Sequence, residues 1–189
     1  MNTFIRFSFI IVLACWQLPC LAAVILQYHH VSDTTPKSTS ISVAQFSAHL
    51  DYLQENDFTV LPLSTIIDHI KNKRVIPDKT VAITFDDAYL NILTNAKPIL
   101  DKYNYPYTIF VNANIINRQQ KTYLSWQQLN TLAKQGVIIA NHGFEHDSIA
   151  RIPAEMSSSA WLKQQTDLLL ESEQIIQQHT GQSWRYFAY

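Results

Sequence analysis

Two spacings of apolar residues alternate along the chain and predict strands and helices in turn. Short, nearly unbroken apolar runs, typical of strands buried in a parallel sheet, cover 24–28, 58–61, 80–85, 107–111 and 137–140. Between these runs, apolar residues recur every three or four positions, as on the buried face of a helix. The longest such stretch, about 157–180, ends at Gly181, and residues 184–189 are predicted to begin another strand.

Local polar signals support the predicted helices. Ser42 with Gln45, and Ser125 with Gln128, have the spacing of capping boxes, in which a serine and a glutamine satisfy free backbone N–H groups at a helix start. Pro98 is a local defect in a helix predicted around residues 93–103.

Strand and helix alternate about six times, which indicates an α/β fold with parallel strands. Neither a linker, a low-complexity tract nor an internal repeat divides residues 24–189, so a single domain is the simplest interpretation. A doubly wound sheet and a barrel both fit this alternation.

The first 23 residues have the organisation of a secretory signal peptide. Arg6 precedes an apolar stretch at 7–18, and small residues follow at Ala22 and Ala23. The stretch is too short to span a bilayer core of about 30 Å as a helix. We therefore predict an exported protein, periplasmic or extracellular. A buried N-terminal strand or helix is one alternative, and a lipoprotein cleavage site at 12–15, with envelope attachment, is another.

Composition excludes several kinds of partner. The formal net charge is −1, from 14 basic and 15 acidic residues, so no basic excess indicates nucleic-acid binding. With three glycines and no GxGxxG or GxxxxGK motif, a glycine-rich phosphate site is not expected. Both cysteines, Cys15 and Cys20, lie in the signal segment, so the exported chain depends on its core rather than on disulfides.

Polar side chains follow the predicted strands at the edge where parallel α/β folds bind ligands. They are His29, His30, Asp86, Asp87, Asn112, Asn141, His142, Glu145 and His146. Two adjacent carboxylates at a buried strand end repel each other unless a cation or a proton offsets their charge. Aspartate with two histidines is a plausible ligand set for a hydrolytic metal.

Each of these features also has a simpler explanation. Asp86-Asp87 could form a turn or cap a helix, and His142 with His146 could lie on a solvated helix face. His29 could simply end a strand, and Glu145 is interpreted as a solvated neighbour. Their joint occurrence after successive strands favours a functional site.

Two motifs resemble those of the polysaccharide deacetylases, the NodB-homology family also known as carbohydrate esterase family 4. They are Thr-Phe-Asp-Asp-Ala-Tyr at 84–89 and His-Gly-Phe-Glu-His at 142–146. The stretches 27–31, 107–111 and 187–189 are similar to further family segments, the first and last to those of the PgaB-like poly-N-acetylglucosamine deacetylase subgroup.

This resemblance implies a distorted (β/α) barrel over residues 24–189 that removes acetyl groups from N-acetylglucosamine polymers with a divalent metal. It implies that Asp87, His142 and His146 bind the ion, most simply Zn²⁺, with Co²⁺, Ni²⁺ or Fe²⁺ as alternatives. The ion would polarise the acetamide carbonyl while Asp86 activates the attacking water as general base. His29 and Tyr89, which lie in or beside the matched motifs, are the candidate substrate-binding residues.

The sequence departs from the family pattern in three ways. Gly143 replaces the usual serine or threonine, and Ala188 stands where an arginine is common. No histidine follows His179, although the family has a late histidine as the general acid. We therefore expect a barrel incomplete at its C-terminus, and weak or no activity. The alternative functions are a non-catalytic carbohydrate-binding relic and an amidase acting on a small C–N substrate.

Overall fold

The computed structural model describes residues 23–146 and 148–189, in which strands and helices alternate as predicted. Apart from Ala23, the predicted signal peptide lies outside the described residues, as do both cysteines. The strands are β1 (Val24–Tyr28), β2 (His30–Val31), β3 (Ser40–Ile41), β4 (Thr59–Val60), β5 (Thr80–Phe85), β6 (Tyr107–Val111) and β7 (Ile138–Asn141). The helices are α1 (Val43–Glu55), α2 (Leu63–Lys71), α3 (Lys97–Tyr103), α4 (Ala113–Asn117), α5 (Trp126–Lys134) and α6 (Ser158–Thr180).

Five strands form one parallel sheet in the order β1-β5-β6-β7, with β4 paired to the start of β5. Every residue of β5, β6 and β7 is buried, as their apolar runs predict. The register pairs Thr84 of β5 with Gln27 of β1 and with Thr108 of β6. The carboxyl ends of these strands therefore meet at one edge, and the α/β class with parallel strands is confirmed.

Apolar side chains cover both faces of the sheet, because successive residues of a strand point to opposite sides. The larger cluster includes three residues of β5, namely Val81, Ile83 and Phe85. In this cluster the ring centroids of Phe85 and of Phe46 in α1 lie 5.9 Å apart. Ala82 belongs to a smaller cluster on the other face. The sheet is thus held between two apolar layers, and the polar residues are left to its carboxyl edge.

The predicted helix starts are confirmed. In both capping boxes the serine hydroxyl accepts the N–H of the glutamine three residues later, at Gln45 and Gln128. The long helix α6 ends at Gly181, which has a φ of 73°. That left-handed conformation suits glycine, which has no Cβ to clash.

Three local features differ from the prediction. Residues Ile92–Ala96 form a π-helical turn that continues directly into α3, with Pro98 at the second residue of that helix. The short helix α4 is an addition, as is the small parallel pair of β2 and β3.

The 184–189 segment pairs with β7 at one position and does not form a continuous strand. Phe187 bridges Asn141 in parallel, with the Asn141 N–H donating to the Tyr186 carbonyl and the Ala188 N–H donating to the Asn141 carbonyl. The segment is thereby fixed beside the carboxyl end of β7.

Helices that combine the length and the apolar character needed to cross a bilayer do not occur in residues 23–146 and 148–189.

Candidate metal centre

The turn after β5 carries two adjacent carboxylates in a constrained backbone. Asp87 and Ala88 have φ values of 67° and 57°, a left-handed conformation that non-glycine residues rarely adopt. A backbone hydrogen bond of 2.8 Å from Leu124 to the Ala88 carbonyl helps hold the turn. Strain of this kind persists only where the surrounding structure enforces it, and it is common at functional sites.

Asp87 faces the two histidines that the sequence predicts as its partners. Its Oδ1 lies 3.5 Å from Nε2 of His142 and 3.3 Å from Nε2 of His146. One ligand atom from each of the three residues lies within 4.8 Å of the others. His142 and His146 are carried by a loop, so the alternative of a solvated helix face is wrong.

The hydrogen bonding around His142 fits a cation. Its Nδ1 lies 3.0 Å from the Ala188 carbonyl oxygen, which can only accept, so in the neutral imidazole Nδ1 carries the proton. Nε2 then presents a lone pair toward Asp87. Both Nε2 and Asp87 Oδ1 are buried and lack a hydrogen-bond partner among the described residues. Two buried acceptors facing each other need a cation or a proton between them. One carboxylate and two imidazoles suit Zn²⁺ and related divalent ions.

Asp86 has different surroundings from its neighbour. Its Oδ2 accepts a hydrogen bond from the Gln27 amide and lies 3.9 Å from Nε2 of His29. Its Oδ1 is buried and has no hydrogen-bond partner in the described part of the chain. One oxygen is thus held in place, and the other is left to accept a proton.

Three side chains fix the loop that carries the two histidines. The Asn112 amide donates to the His142 carbonyl, and Asn141 Oδ1 accepts the Gly143 N–H at 2.8 Å. The Ser172 hydroxyl of α6 donates to the Gly143 carbonyl at 3.2 Å. Gly143 itself has a φ of 93°, and a Cβ there would lie 3.1 Å from the Glu145 carbonyl oxygen. The loop conformation therefore suits glycine, rather than the hydroxyl residue usual in the family.

Glu145, interpreted from the sequence as a solvated neighbour, is partly exposed and also forms an ion pair with Arg118. Arg118 donates to both of its carboxylate oxygens, at 2.8 and 2.7 Å, and the Asn114 amide donates to one of them. Sequence reasoning missed Arg118, because it lies 27 residues from Glu145 and outside both motifs.

His29 and Tyr89, predicted to contact substrate, lie next to the two aspartates. The Tyr89 ring stacks on His30, with ring centroids 3.5 Å apart, and on Tyr123, at 5.0 Å. Burial raises the pKa of Tyr89, and the nearby charge of Asp87 raises it further. Its phenol therefore stays neutral, and able to donate a hydrogen bond, at physiological pH.

Two surface depressions adjoin the site. One is lined by His142 and His146, and the other by Gln27 and Asp86. Phe187 and Tyr189 line both depressions. The 184–189 segment therefore shapes the surroundings of the histidines and of Asp86 at once.

Comparisons with known proteins agree with this fold. The sequence profile described as polysaccharide deacetylase matches residues 73–189. The chain is 32% identical over 123 residues to the YxkH protein of Bacillus subtilis, covering 65% of this chain and 42% of that protein. It is 30% identical over 133 residues to the poly-beta-1,6-N-acetyl-D-glucosamine N-deacetylase of Staphylococcus epidermidis, covering 61% and 46%.

The solved structure of IcaB from Ammonifex degensii superimposes with a TM-score of 0.77 at 26% identity, covering 88% of this chain and 73% of that one. The chain belongs to the polysaccharide deacetylase family. It spans less than half the length of these two curated relatives.

Proposed function

We propose that this chain is a metal-dependent N-deacetylase that hydrolyses the acetamide groups of an N-acetylglucosamine polysaccharide. The pairing of Asp87 with Nε2 of His142 carries the proposal, because two buried acceptors face each other in a metal-binding arrangement. Membership in the polysaccharide deacetylase family supports the reaction class.

Asp87, His142 and His146 would hold the divalent ion. A bound ion would polarise the acetamide carbonyl and lower the pKa of a water molecule. Zn²⁺ suits one carboxylate and two imidazoles, and Co²⁺, Ni²⁺ and Fe²⁺ accept the same donors.

Asp86 would act as the general base. The Gln27 amide orients its Oδ2, with Nε2 of His29 3.9 Å away, and this leaves Oδ1 to take a proton from the attacking water. Addition of water to the carbonyl and cleavage of the C–N bond release acetate and leave a free amine on the sugar. The two aspartates would thus divide metal binding and proton transfer between them.

The substrate would be a poly-N-acetylglucosamine. The S. epidermidis relative is named for activity on the beta-1,6-linked polymer, which favours that class over other polysaccharides. His29 and Tyr89 would contact the sugar, since each lies beside one of the two aspartates. The neutral phenol of Tyr89 is suited to hydrogen bonding with sugar hydroxyls.

The chain would work outside the cytoplasm, in the periplasm or at the cell exterior. Residues 1–23 would be removed as a secretory signal, and residues 24–189 would form the deacetylase domain. N-terminal sequencing of the exported protein tests this organisation, with a first residue near 23 or 24 expected. A mature protein that begins at Met1 would contradict it.

Acetate release tests the proposed reaction. The purified protein is stripped of metal with a chelator and incubated with β-1,6-linked N-acetylglucosamine oligomers, with and without added Zn²⁺. We expect acetate only in the presence of the ion. Glycan binding without acetate release would support the carbohydrate-binding relic, and release from small amides alone would support the amidase.

A further inference from the structure

The ion pair between Arg118 and Glu145 ties the histidine loop to helix α4. Arg118 lies at the C-terminal end of this helix and donates hydrogen bonds to both carboxylate oxygens of Glu145. Glu145 is the residue directly before His146. Both hydrogen bonds come from one guanidinium nitrogen, Nη2, and charge-assisted contacts of this kind are about twice as strong as neutral ones.

Backbone contacts join the other end of α4 to the same loop. The Ala113 N–H donates to the Gly143 carbonyl at 3.3 Å, and the Asn114 N–H donates to the Phe144 carbonyl at 3.1 Å. The Asn114 side chain also reaches Glu145. Helix α4 therefore contacts residues 143, 144 and 145 in succession, up to the residue that precedes His146.

His146 depends on this support more than His142 does. His142 is buried, and its Nδ1 is anchored by the Ala188 carbonyl. The side chain of His146 is 59% exposed, and among the described residues no hydrogen bond is formed by its ring. It packs edge-on against the ring of His142, with centroids 5.2 Å apart. The backbone set by Glu145 thus decides where this imidazole lies.

We propose that Arg118 is a positioning residue for the metal centre and acts through Glu145 to hold His146 at the ion. This inference rests on the proposed metal site. Supporting residues around a ligand change metal affinity by about 10- to 100-fold when replaced. Because the ion pair is partly exposed to solvent, we expect the lower end of that range.

The test is a Zn²⁺ titration in competition with a chromophoric chelator, using the purified protein. Arg118→Met and Glu145→Gln should each weaken Zn²⁺ binding about 10-fold. Arg74→Met is the matched control, since Arg74 forms an exposed ion pair with Asp68 outside the site. It should bind Zn²⁺ as the unmodified protein does.

A double-mutant cycle separates positioning from general destabilisation. In a His146→Ala background, Arg118→Met should change Zn²⁺ affinity less than about 2-fold, because the residue through which Arg118 acts has been removed. The visible absorption of the Co²⁺-loaded protein should also change in Arg118→Met and stay unchanged in Arg74→Met.

Two outcomes would overturn the inference. One is equal Zn²⁺ affinity in the unmodified protein, Arg118→Met and Glu145→Gln. The other is a loss of the same size whether or not His146 is present. If the unmodified protein and Asp87→Ala bind Zn²⁺ equally weakly, the proposed metal site itself fails, a result distinct from both.

Discussion

Asp86 and Asp87 are adjacent in the chain, but their carboxylates face different partners. Asp86 is held by the Gln27 amide, whereas Asp87 faces the imidazoles of His142 and His146. The left-handed φ of Asp87 changes the direction of the chain between them. Two residues of one type can therefore have separate chemical roles.

Substitution of each aspartate should separate these roles. Asp87→Ala should lose most of its bound metal, because it removes the only carboxylate of the ligand set. Elemental analysis after dialysis measures the metal content, with the unmodified protein prepared in parallel. A full equivalent of metal in Asp87→Ala would contradict its assignment as a ligand.

Asp86→Asn should retain the metal and lose turnover by about 100-fold or more, since an amide cannot accept the proton. Acetate release from N-acetylglucosamine oligomers, measured with metal-loaded protein, gives the rate. A normal rate in Asp86→Asn would show that another group is the base.

The sequence predicts individual site residues where they follow a strand or belong to a motif. Asp87, His142 and His146 meet both conditions, and the structure brings them together. Arg118 meets neither, because its role arises only when α4 packs against a loop far along the chain. Glu145 lies within a motif, yet its partner could not be identified from the sequence for the same reason.

At the scale of single elements, the loop at 142–146 depends on glycine at its second position. Gly143→Ala should destabilise the protein by about 1–2 kcal/mol, the cost of a left-handed conformation for a residue with a Cβ. It should also weaken Zn²⁺ binding, because the new methyl group would lie 3.1 Å from the Glu145 carbonyl oxygen. Urea denaturation and Zn²⁺ titration measure the two effects.

Gly136→Ala is the control for this loop. Gly136 has a similar φ of 95°, but a Cβ there would meet nothing within 4 Å. Gly136→Ala should therefore lose about as much stability as Gly143→Ala does, but should keep the Zn²⁺ affinity of the unmodified protein. Equal metal binding by the two alanine variants would show that the close approach to Glu145 does not matter.

Elements with strong periodicity or caps were predictable, and the shortest ones were not. The serine–glutamine boxes identified the starts of α1 and α5 because their spacing is set by the helix itself. Helix α4 has five residues, too few to show a repeating apolar face. The π-helical turn at 92–96 depends on packing around it, which local sequence does not encode.

Across the whole molecule, the apolar layers stabilise the fold while the carboxyl edge carries the chemistry. Ile139→Val tests this separation, because Ile139 is fully buried in the larger cluster and lies three residues before His142. It should lower the free energy of unfolding by about 0.5–1.5 kcal/mol. Urea denaturation followed by circular dichroism measures the loss.

The same variant should leave Zn²⁺ affinity unchanged, since a missing methyl group in the core moves no ligand. A parallel drop in stability and in metal affinity would mean that core packing and the site are coupled.

The parallel α/β class followed from the alternation of elements, whereas the alternation alone did not choose between a doubly wound sheet and a barrel. Strand order depends on contacts between distant residues, and no local pattern encodes it.

The contact between the Ala188 carbonyl and His142 links metal binding at His142 to the docking of residues 186–188. The carbonyl fixes the proton on one imidazole nitrogen and so frees the other for an ion. By thermodynamic reciprocity, an ion bound to that nitrogen must favour the docked form of residues 186–188. Added Zn²⁺ should therefore slow hydrogen exchange at the Ala188 amide, which donates to Asn141. The metal would then stabilise the C-terminal segment that shapes its own binding site.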